Sequence, residues 1–272
     1  MITNKDFMLC GKITEEELPK LKGEWEANIK FDGERIVAIK KGEDVFLLNR
    51  ANREKSFIYP EIAEELKTIK GDFILDGEII TEDNLFNSLQ HRSHLGSKAK
   101  VDEAIKKYPI KFMIFDIINL DGEDLRLLPL KNRIEILNSV NFPKLSKIEF
   151  VVYHKNISEL LSFAKNQIPQ LEGIVIKNML SNYEGRRSNN WLKLKLFQQA
   201  ELKVISYTIN NAGLRLEDDK LNAVQVSGNQ SDEVKQAIDN KGYCNIVIQY
   251  LEKTKNDKYR FISFVGVNHN ER

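Results

Sequence analysis

Read as a string of apolar and polar positions, residues 25–197 break into short runs of strand length separated by polar turns. The runs are Trp25–Phe31, Arg35–Ile39, Val45–Asn49, Asp72–Ile80, Lys111–Ile118, Glu149–Tyr153, Gly173–Lys177 and Trp191–Phe197. Their alternation or short apolar character predicts strands. Three stretches instead repeat their apolar residues at helical spacing, Pro60–Leu66, Pro129–Ser139 and Ser158–Asn166. Pro60 suits a first helical position, where the N–H it lacks has no partner in any case. Hairpins interleaved with helices predict an α+β domain built on two antiparallel sheets with flanking helices.

The texture changes after Phe197. Leu202–Ile209, Leu221–Ser227, Tyr243–Glu252 and Lys258–Val267 read as strands, and Asp232–Asp239 as one helix. Strands interrupted by a single helix over roughly 75 residues fit a small all-β barrel of the oligonucleotide-binding (OB) type. The expected division is residues 1–197 and 198–272, placed near Gln198-Gln199 by this change alone. The connection Asn210–Lys220 reads as a loop only modestly longer than usual.

Composition narrows the class without naming it. The chain has 272 residues, 42% hydrophobic and 30% charged, which suits one medium domain and one small one. Its formal net charge is +1, so the strongly basic balance of many nucleic-acid binders is missing and such contact must come from local patches. One patch is residues 177–195, where Lys177, Arg186, Arg187, Lys193 and Lys195 are opposed only by Glu184. Another candidate is the segment Asn84–Lys100, read as a surface loop carrying Arg92, Lys98 and Lys100. Cys10 and Cys244 have no metal-like spacing and read as free thiols of a reducing compartment. His91 and His94 lack the second pair a zinc site needs. The N-terminus has no apolar signal region and no run approaches the roughly 20 apolar residues of a membrane span, so the expectation is a soluble, cytoplasmic protein.

Candidate chemistry centres on Lys30-Phe31-Asp32-Gly33-Glu34-Arg35. The alternation on either side predicts two strands of a hairpin, with Asp32-Gly33 as its two-residue turn and Gly33 at positive φ. Taken alone, this is equally a surface hairpin with a solvated lysine. The chain also carries, in order, Asp76-Gly77-Glu78, Phe115-Asp116, Glu172-Gly173-Ile174-Val175-Ile176-Lys177 and Trp191-Leu192-Lys193-Leu194-Lys195. Lys193 and Lys195, two apart on one strand, share a face.

This set resembles the covalent nucleotidyltransferase superfamily and, within it, the ATP-dependent DNA ligases in a minimal two-domain form. The stretch Phe115–Gly122 followed by Leu125-Arg126, Pro129-Leu130 and Arg133, and the stretch Tyr183–Ser188 leading into Trp191-Leu192-Lys193, are similar to the ligase versions of those regions. The resemblance implies a nucleotidyltransferase core followed by an OB barrel, with ATP and Mg2+ (or Mn2+) as cofactors and nicked duplex DNA as partner. It implies that Lys30 attacks the α-phosphorus of ATP to give lysyl-AMP, with Asp32, Lys193 and Lys195 assisting. AMP then passes to a 5′-phosphate, and a 3′-hydroxyl displaces it. Arg35, Arg50, Glu78, Phe115, Lys177, Lys193 and Lys195 are implied as nucleotide ligands, with Phe115 stacking on adenine. Glu78 and Glu172 are implied as metal ligands. Arg186, Arg187, Arg92 and Lys98 are the candidate DNA contacts. An amine nucleophile must be unprotonated, and the nearby cations Lys177, Lys193 and Lys195 are expected to lower the pKa of Lys30.

The chain departs from the family pattern at its end. Tyr259–Val267 resembles the approach to the last motif, but Asn268–Arg272 has no Arg-x-Asp-Lys, leaving Arg260 and Arg272 to serve. About two dozen residues precede the first motif strand, and the short barrel loops offer no inserted clasp, which implies a minimal monomeric enzyme with salt-sensitive DNA affinity. Two other readings stand beside this one: an RNA ligase or mRNA-capping guanylyltransferase, and a nucleic-acid-binding protein with a vestigial catalytic core.

Overall fold

A computed structural model describes residues 7–140, 147–167, 171–254 and 256–268. Two compact units divide the chain, Met1–Lys195 and Leu196–Arg272. The first is mixed α/β, two sheets with a few helices.

The smaller sheet of this unit orders its strands Leu9–Lys12, Arg187–Lys195, Gly173–Asn178 and Trp25–Lys30. The larger sheet runs Asp44–Asn49, Glu34–Lys41, Phe73–Thr81, Ile110–Leu120 and Glu123–Asp124, with Ile148–Phe150 alongside Ile110–Leu120. Neighbours are antiparallel except two parallel pairs, Leu9–Lys12 with Arg187–Lys195 and Ile148–Phe150 with Ile110–Leu120. The expectation of purely antiparallel sheets is corrected to that extent. The inward positions of the larger sheet, among them Ile36, Ala38, Leu47, Leu75, Phe112 and Ile114, form one apolar cluster. Helix Pro60–Lys67 begins on its proline as expected and adds Ile62, Ala63 and Leu66 to that cluster. Helix Ile157–Lys165 starts at Asn156, whose side chain accepts from the Glu159 amide, and packs on the smaller sheet.

The predicted hairpin does not form. Trp25–Lys30 pairs with Gly173–Asn178 in one sheet, whereas Glu34–Lys41 pairs with Phe73–Thr81 and Asp44–Asn49 in the other. Phe31-Asp32-Gly33 is therefore a crossing between sheets. Gly33 is absent from the positive-φ residues; what requires glycine is proximity, since a Cβ there would lie 2.2 Å from the Ile79 carbonyl oxygen. The Asp-Gly signal was right about a break and wrong about what lies on either side.

The segment read as a loop around Asn84–Lys100 contains the whole of one helix, Phe86–Ser93, and the start of another, Lys98–Lys107. Each buries only two or three residues, so apolar periodicity gave little sign of them. Arg92 is corrected with it. Its side chain is fully buried, donating to the carbonyls of Tyr108 and Ile58 at 3.0 Å each and pairing with Glu61 at 2.8 Å, so it holds helices together and cannot reach DNA. Lys98 is 84% exposed, near Asp102.

The second unit is a five-stranded antiparallel sheet ordered Ala223–Val226, Gly213–Asp218, Gln198–Asn210, Cys244–Tyr250 and Ser263–Val267. Helix Gln230–Lys241 lies between the third and fourth strands of the chain order and ends on left-handed Gly242. Gly213–Asp218 occupies what read as the loop Asn210–Lys220. The predicted strand Lys258–Val267 is broken at Phe261, whose φ is 53°, leaving Tyr259–Arg260 paired with Glu252–Lys253. Arg260 pairs with Glu252, and Arg272 lies outside the described residues.

Candidate active site

The crossing at Phe31–Gly33 sets the two sheets of the first unit around an open cleft of about 210 Å³. Its lining includes Asn28, Lys30, Phe31, Arg35, Arg50, Glu78, Phe115, Val175, Lys177, Arg187, Trp191 and Lys193, with Cys10 at one edge. Nearly every residue singled out as a nucleotide ligand therefore converges here. Arg187, expected on DNA, also reaches the cleft and donates to the Cys10 carbonyl. Arg186 is exposed and paired with Glu184.

Lys30 ends its strand opposite Gly173, and its ammonium pairs with the Glu172 carboxylate. Lys195 pairs with the other oxygen of the same carboxylate. Burial pulls the Lys30 amine down, but Glu172, then Glu78, and finally Asp32 outweigh it and hold the amine above its ordinary value. This corrects the expectation that neighbouring cations lower it: a direct carboxylate partner outweighs cations placed further off. The pKa of Lys193 does fall, through burial and then the charges of Lys30 and Lys195. Glu172 is itself buried, which raises it, yet Lys30 and Lys195 bring its carboxyl below the usual range.

Glu78 behaves oppositely. Burial pushes its carboxyl up to about 8, only partly offset by Lys30 and Arg35, with Glu172 and Asp76 adding repulsion. Such a carboxylate cluster attracts cations. Among the described residues no group of three or more His, Cys, Asp or Glu side chains forms a metal cage.

Deeper in the cleft, Arg35 donates from Nε to Asp76 at 2.9 Å, from Nη2 to Asp76 at 2.5 Å and from Nη1 to the Met8 carbonyl at 2.6 Å. Tyr183 donates to the same Asp76 at 2.6 Å. Arg35 is thus a fixed wall whose face lies 5.2 Å from the Phe115 ring. Lys177 is almost fully buried, its Nζ 4.3 Å from the Phe115 ring centre and 4.0 Å from that of Trp191. It donates to the Tyr153 hydroxyl at 2.8 Å, which donates to the Phe115 carbonyl at 2.7 Å. Burial brings the Lys177 amine down to about 7. Phe115 is therefore flanked by a lysine, an arginine and an edge-on tryptophan.

Two atoms that line this cleft are buried without a hydrogen-bond partner among the described residues, Asn28 Oδ1 and Trp191 Nε1. Buried polar atoms without partners are uncommon and mark places where a ligand or water completes the set. Sequence reasoning passed over Asn28, although its position two residues before Lys30 on one strand placed it on the same face. It also passed over Trp191 as a cleft residue and the Arg35–Asp76–Tyr183 network, which joins residues far apart in sequence and left no local signal.

A two-sheet domain with a lysine-rich cleft at the crossing between the sheets is the architecture of a nucleotidyltransferase. Residues 8–195 match the family model of the ATP dependent DNA ligase domain, and the chain belongs to that family. Among curated relatives, it is 33% identical over 210 residues to a DNA ligase of Sulfolobus acidocaldarius, covering 72% of this chain and 35% of that one. It is 37% identical over 191 residues to a probable DNA ligase of Aquifex aeolicus, covering 65% and 32%. The chain thus spans about a third of the length of the curated relatives it matches. Among solved structures, a Lig E DNA ligase superposes with a TM-score of 0.69 at 18% identity, covering 98% of this chain and all of that one. The ATP-dependent ligase of bacteriophage T7, in complex with ATP, gives 0.56 at 15% identity over 97% and 99%. These two likenesses are of fold.

Proposed function

We propose that this protein is an ATP-dependent DNA ligase that seals nicks in duplex DNA through lysyl-AMP at Lys30. The observation that carries the reading is the meeting of Lys30, Glu172, Lys193 and Lys195 at a cleft whose lining also holds the buried, unpaired Asn28 acceptor. An amine nucleophile, cations for phosphates and a hydrogen-bond acceptor suited to an amino group of a base are what nucleotide transfer to lysine needs.

In this reading the base enters beside Phe115, with Asn28 accepting from the adenine amino group. Arg50, Lys193 and Lys195 meet the phosphates. Lys30 first gives up its ammonium proton to water, then its Nζ forms a bond to the α-phosphorus as the bond to the bridging oxygen breaks and pyrophosphate leaves, and the new N–P nitrogen sheds a second proton to water. Asp32 adds to the negative charge that orients Lys30 beforehand. Magnesium or manganese, when bound, neutralises phosphate charge. Glu78 and Glu172 would hold it with phosphate oxygens, as suits a metal that takes one or two carboxylates and not a full protein cage.

Transfer of AMP to a 5′-phosphate and attack by a 3′-hydroxyl then complete sealing. Arg186, Arg187 and Lys98 are the proposed DNA contacts of the first unit. We read the second unit as an OB barrel. Its strand order, the helix between the third and fourth long strands, and the approach of Ala223–Val226 to Ser263–Val267 support closure of the sheet. A cytoplasmic monomer is the working form in this reading; among the described residues no helix is long and apolar enough to cross a membrane.

The test incubates the protein with magnesium and α-labelled ATP or GTP and follows acid-labile label on the denatured chain. Label from ATP that is absent in Lys30→Ala and moves to nicked DNA is the expected result. Label from GTP would point to a capping guanylyltransferase, and none from either to a binding protein with an inactive core.

A further inference from the structure

On the side of the Glu34–Lys41 strand away from Arg35 and Asp76, a chain of polar groups leads to the turn that carries Arg50. The Glu34 carboxylate accepts from Asn49 Nδ2 at 2.8 Å and from the Tyr59 hydroxyl at 2.6 Å, with Lys55 Nζ 3.3 Å away. Tyr59 and Lys55 are both buried, and Lys55 is fixed further by the Ser93 carbonyl. Burial and the neighbouring Glu34 push the Tyr59 phenol far up, so it stays a donor. Asn49 is held through its amide nitrogen, and its amide oxygen accepts from the backbone amides of Ala51 and Arg53, each at 3.0 Å. The turn closes with Asn52 N–H donating to the Asn49 carbonyl at 2.8 Å and with Asn52 at a φ of 58°. The four-residue turn Arg50–Arg53 is thus wrapped around one side chain, and that side chain is oriented by Glu34.

We propose that Glu34 and Asn49 are positioning residues that hold Arg50 at the mouth of the cleft for the transferring nucleotide, an inference that rests on the functional reading above. Arg50 is an exposed side chain on a short turn and lines the cleft. Left free, both turn and side chain would lose entropy when a phosphate binds. A turn already fixed by two caps, one left-handed residue and a half-buried carboxylate has lost most of that freedom before the ligand arrives. Arg50 directly follows the Asp44–Asn49 strand, whose paired neighbour Glu34–Lys41 begins just after the nucleophile loop. Glu34 is four residues from Lys30, so the position of the phosphate-binding turn is referred directly to the position of the attacking amine.

The test is a mutant cycle on the single-turnover rate of label transfer from α-labelled ATP to Lys30. Asn49→Asp keeps an oxygen for both turn amides but sets a carboxylate against Glu34, and should slow transfer on the order of tenfold, the scale of one charged hydrogen bond. In an Arg50→Ala background the same change should have no further effect, because groups that act through one residue are not additive with its removal. Adding Glu34→Gln to Asn49→Asp restores the bond with donor and acceptor exchanged, and should recover most of the rate only when Arg50 is present. Glu34→Gln alone, the milder change, keeps the cycle readable if Asn49→Asp unfolds the chain. A merely structural role would lower the melting temperature and slow transfer by the same factor with or without Arg50, which would overturn the inference, as would an unchanged rate in both single variants. A wild-type protein that takes no label from any nucleotide would remove the functional reading and this inference with it.

Discussion

Lys30 lies directly opposite Gly173 in the antiparallel pairing of their strands, and the residue before that glycine, Glu172, takes the lysine's ammonium. Nucleophile and counter-charge are therefore set by strand register, which a slip of one residue would destroy by turning each side chain to the other face. Gly173 has a φ of 145°, and a Cβ on it would stand 2.1 Å from the Leu194 carbonyl oxygen. Gly173→Ala should cost about 1–3 kcal/mol of stability through strain and overpacking. Chemical denaturation checks this, and an alanine variant as stable as the parent would refute the register argument.

The ion pair also has a signature in pH. Glu172 is the strongest of the charges that favour the Lys30 ammonium. In Glu172→Gln that ammonium loses its partner, so the free amine should appear at lower pH. The acidic limb of the rate of label transfer should move to lower pH, even as the plateau falls. An acidic limb that stays in place would show that another group governs it.

Glu78 and Lys177 make the stability of the nucleotide-free protein depend on pH in opposite senses. Glu78, with a folded value near 8 against an ordinary 4.5, binds its proton more tightly when folded. Its contribution is fully present below 4.5 and is lost as pH rises towards 8. Lys177, near 7 against an ordinary 10.5, contributes fully above 10.5 and loses that contribution as pH falls towards 7. Melting temperature plotted against pH should dip near neutrality, with Glu78→Gln flattening the acidic side and Lys177→Met the alkaline side. If neither variant changes its side of the curve, the burial attributed to these groups is wrong.

Asp116 forms a fully buried bidentate pair with Arg133, both contacts at 2.8 Å, and Arg133 also donates to the Ser181 carbonyl. Removing one partner strands a buried charge, so Asp116→Ala should lose about 3–5 kcal/mol in urea unfolding. Replacing both with apolar residues of similar size should lose much less. Equal losses for the single and double changes would exclude stranded charge as the cause.

Much of the site was legible in the sequence because its residues sit on strands with clear alternation. The two lysines of Trp191–Lys195 and the stretch Glu172–Lys177 needed only period two to be placed on common faces. The failures have physical causes. Asp32-Gly33 gives a turn-like local signal whether the chain doubles back or crosses to another sheet, and only the pairing partners, far away in sequence, decide which. Arg92 reads as surface charge because one arginine in a polar segment carries no mark of the carbonyls of Ile58 and Tyr108 that await it. The Lys30 amine was expected to be pulled down because three lysines could be counted nearby, but distance order was invisible: the carboxylate of Glu172 stands closest.

The Phe31–Gly33 crossing means that Lys30 belongs to one sheet and Arg35 to the other, with no hydrogen-bonded ladder joining the two strands. The reactive lysine and the wall of its cleft are therefore mounted on separate plates joined by a three-residue seam. Any molecule long enough to touch both plates acts as a brace across that seam. Occupancy of the cleft should then be readable far from it, as slower hydrogen exchange along the edges of both sheets at once.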